Sequence, residues 1–389
     1  MQCSSETLRY TLVTDDPALQ ACCATWRNCA ALALDTEFMR VSTFYPKLAL
    51  IQVADDTGIT LIDPLGISAW EPFRALLASD DIVKIFHSCS EDLLVFQSAL
   101  QVLPAPVFDT QIATALLGEG VGMSYQNLVR QRYDVELPKG ETRSDWLQRP
   151  LTPEQLDYAA LDVSYLQQTW RDQQAALRAQ GREAWLQEDA QRQQQLYAAE
   201  LSADFARYYM NFKAAWQLAP RQLAALQALA AWREQRARKR DKPRSWILKD
   251  TALFAIAQSM CSNKTQLAAI PDISTNFLRY EGDQVLALLD EARALNEADC
   301  PPPMPKPLTE GQKKRLKRAQ QLVEAKAQEL GLPPEVLGRK RTLQALQYAV
   351  LAQEQAKRDN VARELELPDE LCGWRGPLLL DDLLALFRS

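Results

Sequence analysis

The stretch that most constrains this chain is Ala31 to Arg40, ALALDTEFMR, an apolar run that ends in two carboxylates, Asp35 and Glu37, two residues apart. Read as a β-strand, the run alternates its side chains, so Asp35 and Glu37 share one side while Leu34 and Thr36 take the other. Two acids on one side of a strand end repel, and burial raises their pKa values unless a cation lies between them. The economical cation is divalent, magnesium or manganese, because both prefer hard oxygen ligands. From this stretch alone, a simply solvated acid pair is the alternative.

The neighbouring segments supply a sheet for that strand. TLVT leads into Asp15, Asp16 and Pro17, an N-cap signal for a first helix. Strand signals follow at Cys29–Phe38, Leu48–Ala54, Ile59–Asp63 and Ile82–His87, and Asp55 to Gly58 joins the second and third as a hairpin. Helical patterns begin after Pro64 and after His87, so the fold class is α/β with a mixed sheet and a site at strand ends. In HSCSEDLLVF, Ser88 or Ser90 is the expected helix cap, Asp92 lies in the first turn, and His87 reads as a structural histidine ahead of a substrate contact. Val107 to Leu117 reads as a strand and a helix capped by Asp109 or Thr110. In LTPEQLDYAALDVSYL, Thr152 caps a helix with Pro153 at its first position, which puts Tyr158 and Asp162 on one face. The loop LPKGETRSDW presents Lys139, Arg143 and Trp146, either to a nucleic-acid backbone and base or as a surface loop with Trp146 in the core.

A chain of 389 residues is too long for one ordinary core, and its charge is uneven. The first 200 residues hold 15 Lys+Arg against 27 Asp+Glu, and the remainder 29 against 23. An acidic half that chelates metal joined to a basic half that holds phosphates suits a nucleic-acid enzyme. Eight cysteines show no C-x-x-C pair or zinc spacing beside a single histidine, so they are read as reduced packing residues. Without a basic-then-apolar leader or an apolar run approaching the ~18 residues of a span, the expectation is a cytoplasmic protein with no membrane partner.

The second half is helical in pattern. Residues 165–200 read as one or two long helices, and Pro220 opens another with Leu223, Leu226, Leu229 and Trp232 at core spacing. The run Arg236, Arg238, Lys239, Arg240, Lys242 and Arg244 interrupts it, with a turn expected at Asp241 and Pro243. CPPPMPKP is an extended linker, and the helix after it crowds Lys313, Lys314 and Arg315 near its start, where cations oppose the helix dipole and suggest phosphate contact.

DTEF, HSCSED and the tyrosine-three-residues-aspartate spacing resemble the three motifs of the DEDD exonuclease superfamily in its tyrosine-bearing branch. KGETRSDW with RPLTPEQLDYAALDVSYL, and FYPKLALIQ before them, resemble the ribonuclease D family over nearly the whole chain. The resemblance implies a mixed-sheet ribonuclease H-like exonuclease domain over 1–205 and an HRDC helical nucleic-acid-binding domain over 206–297. After a Pro-rich linker at 298–308, a second, divergent HRDC-like helical domain fills 309–389. It implies that Asp35, Glu37 and Asp162 hold one metal ion, that Asp35 bridges to a second served by Asp92, and that Tyr158 orients the attacking water. The implied reaction is 3′ to 5′ hydrolysis of RNA with a free 3′ end, releasing nucleoside 5′-monophosphates with two Mg2+ or Mn2+ ions. The implied substrates are tRNA precursors and other small stable RNAs, cut by a monomer. The HRDC likeness moves Arg238, Lys239 and Arg240 from solvated loop toward RNA contact. A DNA exonuclease of the same superfamily is one rival, since no residue declares a choice at the 2′-hydroxyl. A catalytically silent RNA-binding scaffold is another, although it has no need of all four acids and Tyr158 together.

Overall fold

In the computed structural model, which describes residues 9–138, 144–201 and 205–389, the run carrying Asp35 and Glu37 is an inner strand of a six-stranded mixed sheet. The chain runs β1 (Tyr10–Val13), α1 (Asp16–Trp26), β2 (Ala31–Met39), β3 (Lys47–Ala54), β4 (Ile59–Ile62), α2 (Glu71–Leu77) and β5 (Val83–Phe86). It continues through α3 (Ser90–Leu100), β6 (Val107–Asp109), α4 (Thr110–Leu116), α5 (Tyr125–Tyr133), α6 (Pro153–Ser164), α7 (Leu166–Ala179) and α8 (Glu183–Leu201). Strand order is β1-β4-β3-β2-β5-β6, with β3 antiparallel to both neighbours and every other pair parallel.

Alternation along the strands divides the core. Leu32 and Leu34 join Ile51, Val53 and Ile62 in one cluster with α1, α2 and α3. Leu50 and Leu61 join Ala159 and Ala160 of α6 in the other. Each fully buried leucine or isoleucine contributes about 1.5–3 kcal/mol, which fixes the strand register against a slip that would exchange the faces.

Local signals set the element ends. Asp15 Oδ1 accepts from the Ala18 N–H at 2.9 Å to start α1, and Asp55 Oδ1 accepts from Thr57 and Gly58 at 2.6 and 3.0 Å to turn the β3–β4 hairpin. Thr152 and Gln155 form a capping box at α6. Neither Ser88 nor Ser90 caps α3, contrary to the sequence expectation. Ser88 takes a left-handed conformation (φ 63°), and the partner of the entering backbone is Asp109. Its carboxylate accepts from the N–H groups of Ser88 (3.0 Å) and Cys89 (2.9 Å) and from Gln111 (2.8 Å) and Ile112 (3.4 Å) of its own helix. One buried acid therefore starts two helices.

Contacts divide the chain into two compact units, one joining the residues up to Met39 and Pro46–Tyr197 to Thr309–Ser389, the other joining Arg40–Tyr45 to Ala198–Leu308. In the second unit, α9 (Pro220–Arg240), α10 (Arg244–Ile247), α11 (Asp250–Ser259), α12 (Lys264–Ala268), α13 (Thr275–Tyr280) and α14 (Gly282–Ala294) enclose Leu223, Leu226, Leu229, Leu253, Ile256 and Leu289. The basic run does not interrupt α9, which continues through Arg240 and ends on Asp241 in the left-handed region (φ 47°). Asp241 Oδ1 accepts from the Phe44 and Tyr45 N–H groups at 2.9 and 3.0 Å, which ties the 40–45 loop to this unit.

The final helices, α15 (Glu310–Leu330), α16 (Pro334–Leu337), α17 (Lys340–Arg358) and α18 (Gly376–Arg388), belong to the unit that contains the sheet. Trp374 stacks on Trp185 of α8 with centroids 4.1 Å apart, and Arg375 forks onto Asp189 at 2.6 and 2.7 Å with both groups buried. No described helix is long and apolar enough to cross a membrane.

Replacing Asp109 with alanine leaves several buried N–H groups without acceptors, so Asp109→Ala should lower stability by about 3 kcal/mol. Urea unfolding checks this, and an unchanged midpoint would mean that the two helix starts are held by something else.

Candidate active site

Strand alternation delivers Asp35 and Glu37 to the face of β2 that α6 covers, and i, i+4 spacing along α6 brings Asp162 and Tyr158 to meet them. Asp35, Glu37 and Asp162 each offer a carboxylate oxygen, and these three atoms lie within 4.8 Å of one another. The Tyr158 hydroxyl hydrogen-bonds Asp162.

Asp92 stands beside this trio. It is buried in the first turn of α3, where it accepts from the Thr36 hydroxyl at 2.5 Å. Thr36 faces away from its two acidic neighbours, so one strand segment presents acids on one side and an anchor for the fourth acid on the other. In the sequence only its position between Asp35 and Glu37 marks this threonine.

The electrostatics follow from like charges gathered where solvent reaches three of them only in part and Asp92 hardly at all. Burial first, then repulsion from Asp92, Asp162 and Glu37, holds the Asp35 carboxyl well above the ordinary range. Burial, then Asp162 and Asp92, pushes Glu37 up to about 9. Asp162 is raised to about 7, chiefly by burial, against the opposing Tyr158 hydrogen bond. Burial likewise raises Asp92 to about 7, partly offset by the Thr36 hydroxyl. Tyr158 is raised as well, by burial and then by Asp162 and Glu37, so its phenol remains a hydrogen-bond donor rather than a base. Three hard oxygens gathered around one point, each resisting ionisation, form a donor set suited to a small divalent cation.

Other residues picked out from the sequence take different places. His87 is structural, as read: its Nδ1 lies 2.8 Å from Thr110 Oγ1, its Nε2 lies 2.9 Å from the Met123 carbonyl, and burial lowers its pKa. Trp146 is 2 % exposed and packs with Leu50, Leu61 and Ala160, its ring centroid 6.1 Å from that of Tyr158. That placement corrects the reading of Trp146 as a base contact and agrees with the alternative that put it in the core, because a ring so little exposed offers no surface to a base. Lys139 and Arg143 lie outside the described residues.

Buried acids claim most of the basic run on α9. Glu234 receives Arg238 and Arg244, and Glu281 receives Arg236 and Arg240. Arg238 also lies over the Phe44 and Phe205 rings. Lys239 is exposed, as is Lys314, while Lys313 pairs with Glu310 at 2.6 Å and Arg315 is half-buried.

Residues 10–175 match the family model described as 3′-5′ exonuclease, and residues 222–289 match the HRDC domain. The ribonuclease D of Pseudomonas paraeruginosa is 43% identical, over 97% of this chain and 97% of its own. That of Escherichia coli is 36% identical over 98% and 99%. The crystal structure of Escherichia coli RNase D, described as an exoribonuclease involved in structured RNA processing, superposes with a TM-score of 0.85 at 34% identity, covering 98% of this chain and 99% of that one. Similarity of this extent, on a fold that gathers the motif carboxylates at one place, means that the chain belongs to the ribonuclease D family and is a 3′–5′ exoribonuclease.

Proposed function

We propose that the chain trims tRNA precursors and other small stable RNAs from their free 3′ ends, with Asp35, Glu37, Asp92, Tyr158 and Asp162 as its hydrolytic machinery. The observation that carries the residue assignment is the trio of half-buried carboxylate oxygens within 4.8 Å of one another, since like charges brought so close call for a cation. Asp35, Glu37 and Asp162 would hold one divalent ion, and Asp35 and Asp92 would serve a second, Mg2+ or Mn2+ in each case. Bound there, the ions supply a water ionised at neutral pH and stabilise charge on the attacking and leaving oxygens.

The chain's own groups do the rest. Tyr158, held protonated beside Asp162, donates a hydrogen bond and orients the attacking water without taking its proton. Thr36 fixes the Asp92 carboxylate by its hydroxyl. Of the basic residues read as RNA contacts, Lys239, Arg240, Lys313 and Lys314 are exposed and Arg315 is partly so; Lys313 is paired with Glu310. Arg238 and Arg240 are committed to Glu234 and Glu281. A monomer in the cytoplasm is the setting that this reading assumes.

A time course on 3′-labelled single-stranded RNA tests the assignment. Asp35→Ala and Asp162→Ala should each lower mononucleotide release by at least about 10³-fold while the RNA is still bound, and near-normal turnover in either would overturn it. Tyr158→Phe should lower kcat by roughly 10–100-fold with KM little changed, as expected for a group that orients the nucleophile.

The raised carboxyl pKa values also predict how the metal-free protein responds to pH. The folded state binds more protons than the unfolded chain between about pH 4 and 9, because Asp92, Asp162 and Glu37 titrate near 7, 7 and 9 when folded. Stability from these groups is complete below the unfolded pKa and is lost as pH rises through the folded values. In chelator the thermal midpoint should therefore fall from pH 5 to pH 9, and Mn2+ should restore most of it at the alkaline end. A midpoint indifferent to both pH and Mn2+ would count against the carboxylates as a metal site.

A further inference from the structure

Gln52 is fully buried in β3, and neither its Nε2 nor its Oε1 has a hydrogen-bond partner among the described residues. Burying an amide in this way forfeits its hydrogen bonds to water with nothing in return, so an apolar residue of the same volume would serve the sheet better. Its neighbours sharpen the point. Along β3, Leu50 and Ala54 share its face, and across the β4 side it stands opposite Leu61. On the β2 side it stands opposite Asp35, which makes Asp35 its polar neighbour in the register. Side chains paired in this way have Cβ atoms about 4.5–5.5 Å apart, within reach of a glutamine amide. Asp35 accepts a backbone N–H from Thr36, and an ionised carboxylate offers about four acceptor positions in all.

We propose that Gln52 is a positioning residue: its side-chain amide donates to Asp35 when that carboxylate holds a divalent ion, and so sets which oxygen faces the ion. The inference rests on the metal reading given above. A neutral amide suits the place because it adds a donor without changing the charge that attracts the ion. A lysine there would compete with the ion, and a glutamate would add to the repulsion. Ligating carboxylates depend on such hydrogen bonds, and removing the outer partner weakens metal affinity by about 10–100-fold.

Full-length Gln52→Met and Gln52→Leu, beside wild type and Asp35→Asn, are compared in two measurements made without RNA: Mn2+ binding by titration calorimetry and urea unfolding in chelator. The expected result is Mn2+ affinity lower by about 10–100-fold in both Gln52 variants with stability in chelator equal to wild type or higher. Affinity within twofold of wild type would overturn the inference. So would a loss of stability in step with affinity in both variants, since a loosened sheet then accounts for both. A wild type that binds no Mn2+, or an Asp35→Asn variant that binds as tightly as wild type, would overturn the metal reading itself and is distinguishable from failure of the Gln52 inference alone.

Discussion

Mutual repulsion among Asp35, Glu37, Asp92 and Asp162 is the constraint that the catalytic unit is built to contain. Each of these carboxyls has its pKa raised, with burial as the largest cause, and acids left free to move would separate. The fold prevents separation with rigid supports. Two of the acids are on an inner strand paired on both edges, one on a helix packed against that strand's sheet, and one on the first turn of a second helix. Sites on regular elements hold their geometry better than sites on loops, and here the geometry must be held against its own electrostatics.

The supports depend on a few buried polar anchors. Asp109 accepts from two separate chain segments and so sets where α3 begins, which in turn places Asp92 against Thr36. The capping box at Thr152 starts α6 six residues before Tyr158. Farther away, Asp189 and Arg375 form a buried fork that joins α8 to the C-terminal helices. Such a pair adds little net stability over an apolar replacement, but breaking it from one side is costly, so it acts as a specific clasp.

Much of this was legible in the residues. The strands follow short apolar runs between turn signals, and the caps at Asp15, Asp109 and Thr152 are short-range signals read within four residues. Ser88 and Ser90 are the usual cap types, yet the acceptor at the start of α3 comes from Asp109, about twenty residues on, where no local pattern points. For Trp146 the sequence allows both base contact and core, since an aromatic in a loop carries no periodicity to betray its burial. The basic run reads as an interruption of α9 for a related reason: four of its arginines pair with Glu234 and Glu281, and the second of these lies forty-odd residues downstream.

By itself the sequence determined what periodicity and local chemistry can encode: which segments are strands and helices, that Asp35 and Glu37 share a face, and that Tyr158 and Asp162 do too. Those facts depend on spacings of two and four residues, and they hold whatever the rest of the chain does. Long-range packing chose which of the acids meet, that Asp92 is held by Thr36, that the C-terminal helices join the sheet unit, and that Gln52 is sealed opposite Asp35 with no partner among the described residues. These depend on contacts between residues far apart in the chain. Such contacts are chosen by how whole elements pack, and no local pattern records that choice.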